Sequence, residues 1–558
     1  MHRYESASRW ARTKDAFTSW RAFHDAIRLK SASSMLANED LLPSPPERQT
    51  WTVWNFFAYW WSESWAVSTW SIGSSLIALG ATVRDALLVV LFANILSSVV
   101  IVLNGRAAAR YHVGYPVLAR VTFGIYGSYF FVVLRAILGI IWGGVQLYFE
   151  GQFISICLRC IFPSWTSLPN KIPASQEITT QVMVGFFLAF VFTLPLMFIH
   201  TSKIRHLFSL KSIIFPLAAL GVVCWATTAN GGVSSNKLID ASLRSSSPSV
   251  FAWGIVSQFN SVMGANSALL VTVPDLARYS RTKNAQLYGQ VLGLPIAQTI
   301  CAAFGIIATS AVHNMYGEAY WNPYDLLNSV LDHSYTSRSR AGIFFAAASF
   351  AFATMGTSVA CNIVPFAADV TCLAPKYVNI IRGQFICLII AFAIVPCFLS
   401  GYSIFQGSVV AIMSVDYFLI RHGNLYLSDM FTASRLGRYY YSYGVNMRGI
   451  AAFIIGFVLP LPGFVGSFGT VSVSAAATHM FNLGWLLSYF VGGVSYAVIC
   501  FATARSMMKG SREAPFEGNV PHHIETGSGH DRLIVDGMEI VGLADHEHEH
   551  GPEGLCST

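Results

Sequence analysis

Apolar segments long enough to cross a membrane recur along the whole of this chain, and most of the charge falls between them. A helix crossing the hydrocarbon core needs about 20 apolar residues. Twelve candidates run over 52–80, 85–103, 122–157, 180–200, 211–229, 250–272, 287–312, 341–371, 383–399, 402–420, 449–469 and 480–504. Lipid offers no partner to a bare backbone group, so such segments must close their hydrogen bonds internally as helices. Composition agrees. Of 558 residues only 11% are charged, against roughly 25% in soluble domains, and mean hydropathy is +0.51. A soluble fold of this length would lack its polar coat. The expectation is an all-α membrane protein with about twelve transmembrane helices, several long enough to tilt or break.

Lysine and arginine set the predicted orientation. With the N-terminus in the cytosol, the inner loops hold fifteen: Arg106, Arg110, Arg120, Lys203, Arg205, Lys211, Arg278, Arg281, Lys283, Lys376, Arg382, Arg421, Arg435, Arg438 and Arg448. The outer loops hold seven: Arg84, Arg159, Lys171, Lys237, Arg244, Arg338 and Arg340. Arg505, Lys509 and Arg512 add to the inner side. Both tails, 1–50 and 505–558, are thus expected in the cytosol. The net charge of +7 follows from this bias, and no nucleic-acid partner is needed to account for it. Residues 1–50 contain no apolar run, so the first helix must direct insertion. Trp10, Phe17, Trp20, Phe23 and Ile27 recur at helical spacing among arginines; a helix lying on the inner leaflet and a disordered tail fit equally.

Several chemistries lack their signatures. There is no phosphate loop, HExxH or GxSxG, so neither an ATP-driven pump nor an enzyme is supported. No short filter motif suggests a channel. Most of the ten cysteines sit inside apolar segments, and Cys157 and Cys160 form a lone CxxC without the two further ligands of a zinc site. His546, His548 and His550 alternate with Glu547 and Glu549 and read as a solvated tail rather than a metal site. No cofactor is expected; an ion gradient remains as the energy source, and the partners are a small solute and lipid.

Ionisable groups at membrane depth mark solute and ion pathways. Here they are Glu63, Arg135, Glu150, Asp369 and Asp416. Glu63 and Glu150 are candidates for proton carriage or for halves of buried ion pairs, while Asp369 and Asp416 lie near predicted helix ends. Small and polar residues interrupt the first span at Ser62–Thr69 and the sixth at Asn260–Ser267, the latter including Gly264 and Asn266. Two broken helices five spans apart predict an inverted five-plus-five repeat whose unwound centres bind solute and ion. Close helix contacts are the alternative reading of the same residues. The repeats would cover 51–229 and 250–420, with two extra helices over 449–504. Trp142 and Gln146 share a face of the third span. An indole can stack on a planar heterocycle, and a carboxamide offers donor and acceptor to a ring amide. Asn362 and Ser358 would face them from the eighth span.

Ordered short motifs extend this reading. They include Asn38-Glu39-Asp40-Leu41, Thr50-Trp51, Thr69-Trp70, Phe123-Gly124-Ile125-Tyr126-Gly127-Ser128, Trp142-Gly143-Gly144-Val145-Gln146 and Pro274-Asp275. Further on stand Tyr316-Gly317-Glu318, Gly356-Thr357 with Asn362, Pro375-Lys376-Tyr377-Val378-Asn379 and Asp416-Tyr417-Phe418-Leu419-Ile420-Arg421. Together these resemble the fungal branch of the nucleobase–cation symporter family, which contains uracil, allantoin, uridine and thiamine permeases. The resemblance implies a LeuT-like five-plus-five fold with two C-terminal helices and alternating access. It implies that Trp142 stacks on the solute while Gln146 and Asn362 hydrogen-bond it. Thr357 matches a sodium-site hydroxyl, with Gly356 and Ala66 offering carbonyls; fungal members are usually proton symporters, which suits Glu63. Uracil-type members commonly have an Asp where Glu63 stands, Asn for Ser358 and Gly for Glu150. The resulting expectation is a plasma-membrane proton symporter for uracil, allantoin, uric acid or a similar ring. A thiamine or nucleoside permease, or a solute-sensing receptor, is the alternative.

Overall fold

The computed structural model describes residues 36, 41–172, 178–198, 205–232, 247–375, 377–393, 403–468 and 471–503, with backbone alone for 532–535 and 538–541. The aromatic N-terminal segment, Asn38–Asp40, Lys203, Lys237, Arg244, Lys376, the basic residues after Thr503 and the histidine tail lie outside the described residues.

The first apolar segment folds as two helices, α1 (Val53–Ser64) and α2 (Val67–Ala78). Thr52 starts α1 by donating from its N–H and hydroxyl to the Asn55 side-chain oxygen, at 2.9 and 2.8 Å. Trp65 and Ala66 leave the helical conformation, Ala66 at φ −139° and ψ 152°. The break falls directly after the buried polar run Ser62-Glu63-Ser64. Next come α3 (Val83–Tyr111), α4 (Tyr115–Phe123) and α5 (Gly127–Ile161). At 35 residues and about 1.5 Å per residue, α5 outruns a bilayer core and needs tilt. They are followed by α6 (Thr180–Thr193), α7 (Arg205–Ala229) and α8 (Pro248–Ala277).

Here the structure departs from the expected second break: α8 is one continuous helix of 30 residues. Asn260 and Gly264 make their contacts sideways, while Ser261 and Ser267 donate to the Ser257 and Gly264 carbonyls within the helix, at 2.9 and 2.6 Å. Asn260 Oδ1 accepts from the N–H groups of Trp485 and Leu486, at 2.9 and 3.3 Å, so it caps a neighbouring helix. Gly264 faces Ser403, where a Cβ would sit 3.2 Å from the serine Cβ. With neighbours satisfying these side chains, nothing draws the α8 backbone out of its own ladder.

The second half continues with α9 (Ala285–Tyr316), α10 (Pro323–His333), α11 (Ser337–Ser358), a π turn (Val359–Ile363) and α12 (Val364–Leu373). Pro365 lacks an N–H and its ring crowds the carbonyl four residues earlier, which accounts for the widened turn just ahead of it. α13 (Ile380–Ala393) and α14 (Ser403–Val415) follow, the latter ending in a second π turn (Asp416–Ile420). The remainder is α15 (Met447–Val458), α16 (Leu461–Gly466), α17 (Ala475–Asn482), α18 (Gly484–Thr503) and an antiparallel strand pair, Arg532–Val535 with Met538–Val541. Among the described residues, eight helical stretches are long and apolar enough to cross a membrane, and α13 and α15 are apolar but shorter. Outward faces are apolar: Phe490, Val494 and Val498 of α18 are about 60% exposed while Trp485 and Tyr496 are fully buried. Such an inside-out face suits lipid.

Small residues every fourth position let α9 lie against the first span. A Cβ on Gly289 would sit 2.6 Å from Phe56 Cβ, and one on Gly293 3.1 Å from Trp60 Cβ. Ala297 is fully buried, Cys301 approaches the Ala66 carbonyl at 3.8 Å, and Gly305 meets Trp70 and Ser74. The ridge follows both halves of the first span across its break.

One end of the bundle is tied by the chain's early residues. Ser44 N–H donates to the His112 carbonyl at 2.8 Å, Trp51 N–H to Tyr279 at 2.9 Å, and Arg278 Nε to Ser44 Oγ at 2.7 Å. At the same end Arg421 pairs with Asp416 at 2.8 Å, and Tyr496 donates to Asp416 at 2.8 Å. Asp416 is therefore a buried ion-pair member in the second π turn rather than a group at the interface.

Replacing Gly305 with Leu should push α9 off α2 and cost about 1–3 kcal/mol. We expect low surface delivery and a lowered Tm in detergent, whereas Gly342→Leu, with no atom within 4 Å of its Cβ position, should behave as the wild type.

Candidate substrate and ion site

The break between α1 and α2 opens onto a cavity of about 730 Å³, counting its mouth, enclosed by α2, α3, α5, α8, α9 and the α11 π turn. Six of the ten candidate residues line it: Trp142, Gln146, Asn362, Asn266, Glu63 and Thr357. Trp142 and Gln146 stand one turn apart on α5, as their spacing requires. Gln146 is buried, and its Oε1 has no hydrogen-bond partner among the described residues. Asn362 arrives from the π turn. Such turns recur at functional sites, because the extra residue per turn redirects a side chain.

Glu63 ends α1 beside the break. Its Oε1 lies 3.6 Å from Lys211 Nζ, and its Oε2 accepts from Cys361 Sγ at 2.7 Å. Lys211, counted above among loop cations, is instead within α7 and fully buried. Two desolvated charges at this depth hold each other, since either alone would be costly. Thr357 Oγ1 donates to the Ala353 carbonyl at 3.1 Å, which leaves its lone pairs for other partners.

Four candidates lie elsewhere. Gly264 packs against Ser403. Ser358 is fully buried beside the lining but not part of it. Glu150, one turn beyond Gln146, is buried and accepts from Thr193 Oγ1 of α6 at 3.3 Å. Asp369 is held by the Arg135 guanidinium, which contacts both its oxygens, Nε at 2.8 Å, and also reaches Asp275 at 2.6 Å. Arg135 lies 4.3 Å over the Tyr115 ring, and Tyr115 N–H donates to Asp275 at 2.8 Å. This cluster joins α4, α5, α8 and α12 outside the cavity lining.

Residue patterns alone missed Lys211, Cys361, Asn94 and Gln298, all within the lining or in contact with it. Asn94 and Gln298 are carboxamides inside apolar helices, a signal of the same kind as Gln146. The assembled site can stack a flat ring, bond its polar edge, and hold a proton on a carboxylate beside it.

A family model described as a permease for cytosine/purines, uracil, thiamine and allantoin matches residues 43–492. The allantoin permease of Saccharomyces cerevisiae is 32% identical, covering 85% of this chain and 77% of its own length. The uridine permease of the same yeast is 31% identical, covering 86% and 77%. Among solved structures, Mhp1, a nucleobase-cation-symport-1 family transporter in a closed conformation with bromovinylhydantoin bound, matches with a TM-score of 0.64 at 17% identity. That match covers 86% of this chain and 99% of Mhp1, and it establishes a shared fold.

Gln146→Ala should weaken uptake of the chain's solute about tenfold or more, the scale of a lost buried hydrogen bond with an unpaired ligand group. Surface delivery, followed with a fluorescent tag, should stay unchanged; normal uptake would remove Gln146 from the site.

Proposed function

This chain belongs to the family of permeases for cytosine and purines, uracil, thiamine and allantoin, and from that premise we propose that it is a proton symporter importing a neutral ring such as uracil, allantoin or uric acid. It is a multi-pass membrane transporter of small heterocycles. The observation that carries the narrower reading is the meeting of Trp142, Gln146 and Asn362 in one cavity with Glu63 at its edge. Neutral carboxamides and an indole suit an uncharged planar solute. A cationic vitamin would need a free carboxylate in the cavity. Glu63 already faces Lys211, and Glu150 lies outside the lining, so the thiamine reading loses both of its charge partners.

The same pair favours a proton over sodium. A sodium ion beside Thr357 would share the region with an ammonium group, whereas a proton can settle on Glu63 and release it from Lys211. Coupling requires that proton and solute prefer the same conformational state. Glu63 ends a half-helix at the break, and Cys361 adjoins Asn362 in the π turn, so protonation acts on both walls of the solute site.

For topology, we read α1 with α2 as one broken crossing and the continuous α8 as a second crossing. With the eight long apolar helices and the two shorter ones, these make twelve. The inverted repeat then spans 51–229 and 250–420, with α15 to α18 forming two added crossings. Arg106, Arg110, Arg278 and Arg281 gather at the end where residues 41–51 are bound, which supports cytosolic termini.

The test is uptake of labelled uracil, allantoin, uridine and thiamine in a yeast strain lacking its own permeases. Accumulation of a neutral ring that rises as external pH falls and collapses with a protonophore is expected. Thiamine accumulation alone would overturn the solute class; binding without accumulation would make the chain a receptor. Glu63→Gln should abolish accumulation, and because it leaves Lys211 buried alone, the pair Glu63→Gln with Lys211→Met serves as the folded control. Protonophore-sensitive accumulation by that double variant would remove Glu63 from coupling.

A further inference from the structure

The wall of the cavity contributed by α3, α8 and α9 carries a cluster of side-chain amides that the stacking and coupling residues do not explain. Asn266 and Gln298 pair reciprocally: Asn266 Nδ2 donates to Gln298 Oε1 at 3.2 Å, and Gln298 Nε2 donates to Asn266 Oδ1 at 2.8 Å. Asn266 Nδ2 also reaches Asn94 Oδ1 and Ser97 Oγ, both at 3.1 Å. Ser97 Oγ in turn donates to Met263 Sδ at 3.1 Å. Asn266 thus turns its nitrogen toward α3, where Asn94 Oδ1 and Ser97 Oγ face it. The Asn94 oxygen is one of three acceptors, with Ser97 Oγ and Gln298 Oε1, that share the two Asn266 amide hydrogens. Asn94 Nδ2 is left with no partner among the described residues, although Asn94 is fully buried and part of the cavity lining.

An unmet buried donor is costly, about 1–3 kcal/mol, and the cost is removed by anything that brings an acceptor to it. Across the cavity the unmet atom has the opposite character: Gln146 Oε1 is an acceptor. The lining therefore asks for a solute with an N–H at one edge and a carbonyl at another. We propose that Asn94, oriented by the Asn266–Gln298 pair, is a specificity subsite for a ring or ureido carbonyl and selects oxo over amino rings. The proposal rests on the cavity being the solute site.

A solute with an amine in place of that carbonyl would set donor against donor. Sites built to hydrogen-bond a group discriminate strongly against analogues lacking it, because the site's own atom is left unpaired. Asn266 and Gln298 act here as positioning residues. Asn94 is the atom supplier.

The experiment uses the full chain in the permease-deficient yeast, with unlabelled uracil and cytosine competing for uptake of whichever labelled solute the wild type accumulates. Uracil should compete at least about tenfold better than cytosine in the wild type. In Asn94→Leu that ratio should collapse toward one, and in Asn94→Ala, which also lacks the donor, it should do the same. Uptake retained with an unchanged ratio in both variants would overturn the subsite and leave the transport reading standing. A ratio shifted toward uracil in Asn94→Leu would also overturn it, since Asn94 would then serve the amine. Loss of surface delivery in both variants would make Asn94 a packing residue. No uptake of any solute by the wild type would fell the functional reading itself, and this inference with it.

Discussion

A charge inside a hydrocarbon layer must find its opposite, and the helix arrangement of this chain follows from where those meetings occur. Arg135 is buried in α5 and holds carboxylates from two other helices, Asp275 and Asp369, with an aromatic ring beneath its guanidinium. Removing Arg135 would strand the buried Asp369 carboxylate, a loss of about 3–5 kcal/mol in comparable settings, whereas removing either carboxylate leaves one ion pair in place. The cluster thus fixes α5, α8 and α12 relative to each other on one side of the cavity. Glu63 with Lys211 does the same for α1 and α7, and Asp416 with Arg421 anchors the end of α14.

Between these charged fixtures the packing is of another kind. The ridge Gly289, Gly293, Ala297, Cys301 and Gly305 gives α9 a smooth face, and the two halves of the first span lie along it. A broken helix is mechanically weak where its backbone bonds are missing. Here a continuous neighbour passes across the gap, so α1 and α2 keep their alignment while Trp65 and Ala66 stay free of helical geometry. The cavity can exist because the helix behind it supplies the stiffness that the broken one lacks.

The same contrast explains what the sequence made legible. Apolar length predicted the helices, and Ser62, Glu63 and Ser64 predicted the break in the first span, since hydroxyls and a carboxylate in the middle of an apolar run have few other uses. The matching reading for Asn260–Ser267 failed because identical residue types can be satisfied by neighbours. Asn260 caps α18 and Asn266 pairs with Gln298, and neither partner is visible from within α8. Lys211 was misplaced for a related reason: a cation at a segment boundary looks like a loop residue until its carboxylate, nearly 150 positions earlier, is known. Spacing placed Trp142 and Gln146 on one helix face, but only tertiary packing separates Asn362, which reaches the cavity, from Ser358, which does not.

The pairing of Glu63 with Lys211 also has an electrical side. With the carboxylate ionised the two charges cancel, and with a proton bound one positive charge is left. Any rearrangement that carries the protonated pair through part of the membrane field gains from an inside-negative voltage, by up to about 2.3 kcal/mol per 100 mV for a full crossing. Movement of the unprotonated pair gains nothing. On the proposal that Glu63 carries the coupling proton, voltage would favour one half of the transport cycle and be silent in the other, a rectification built from a single lysine in α7.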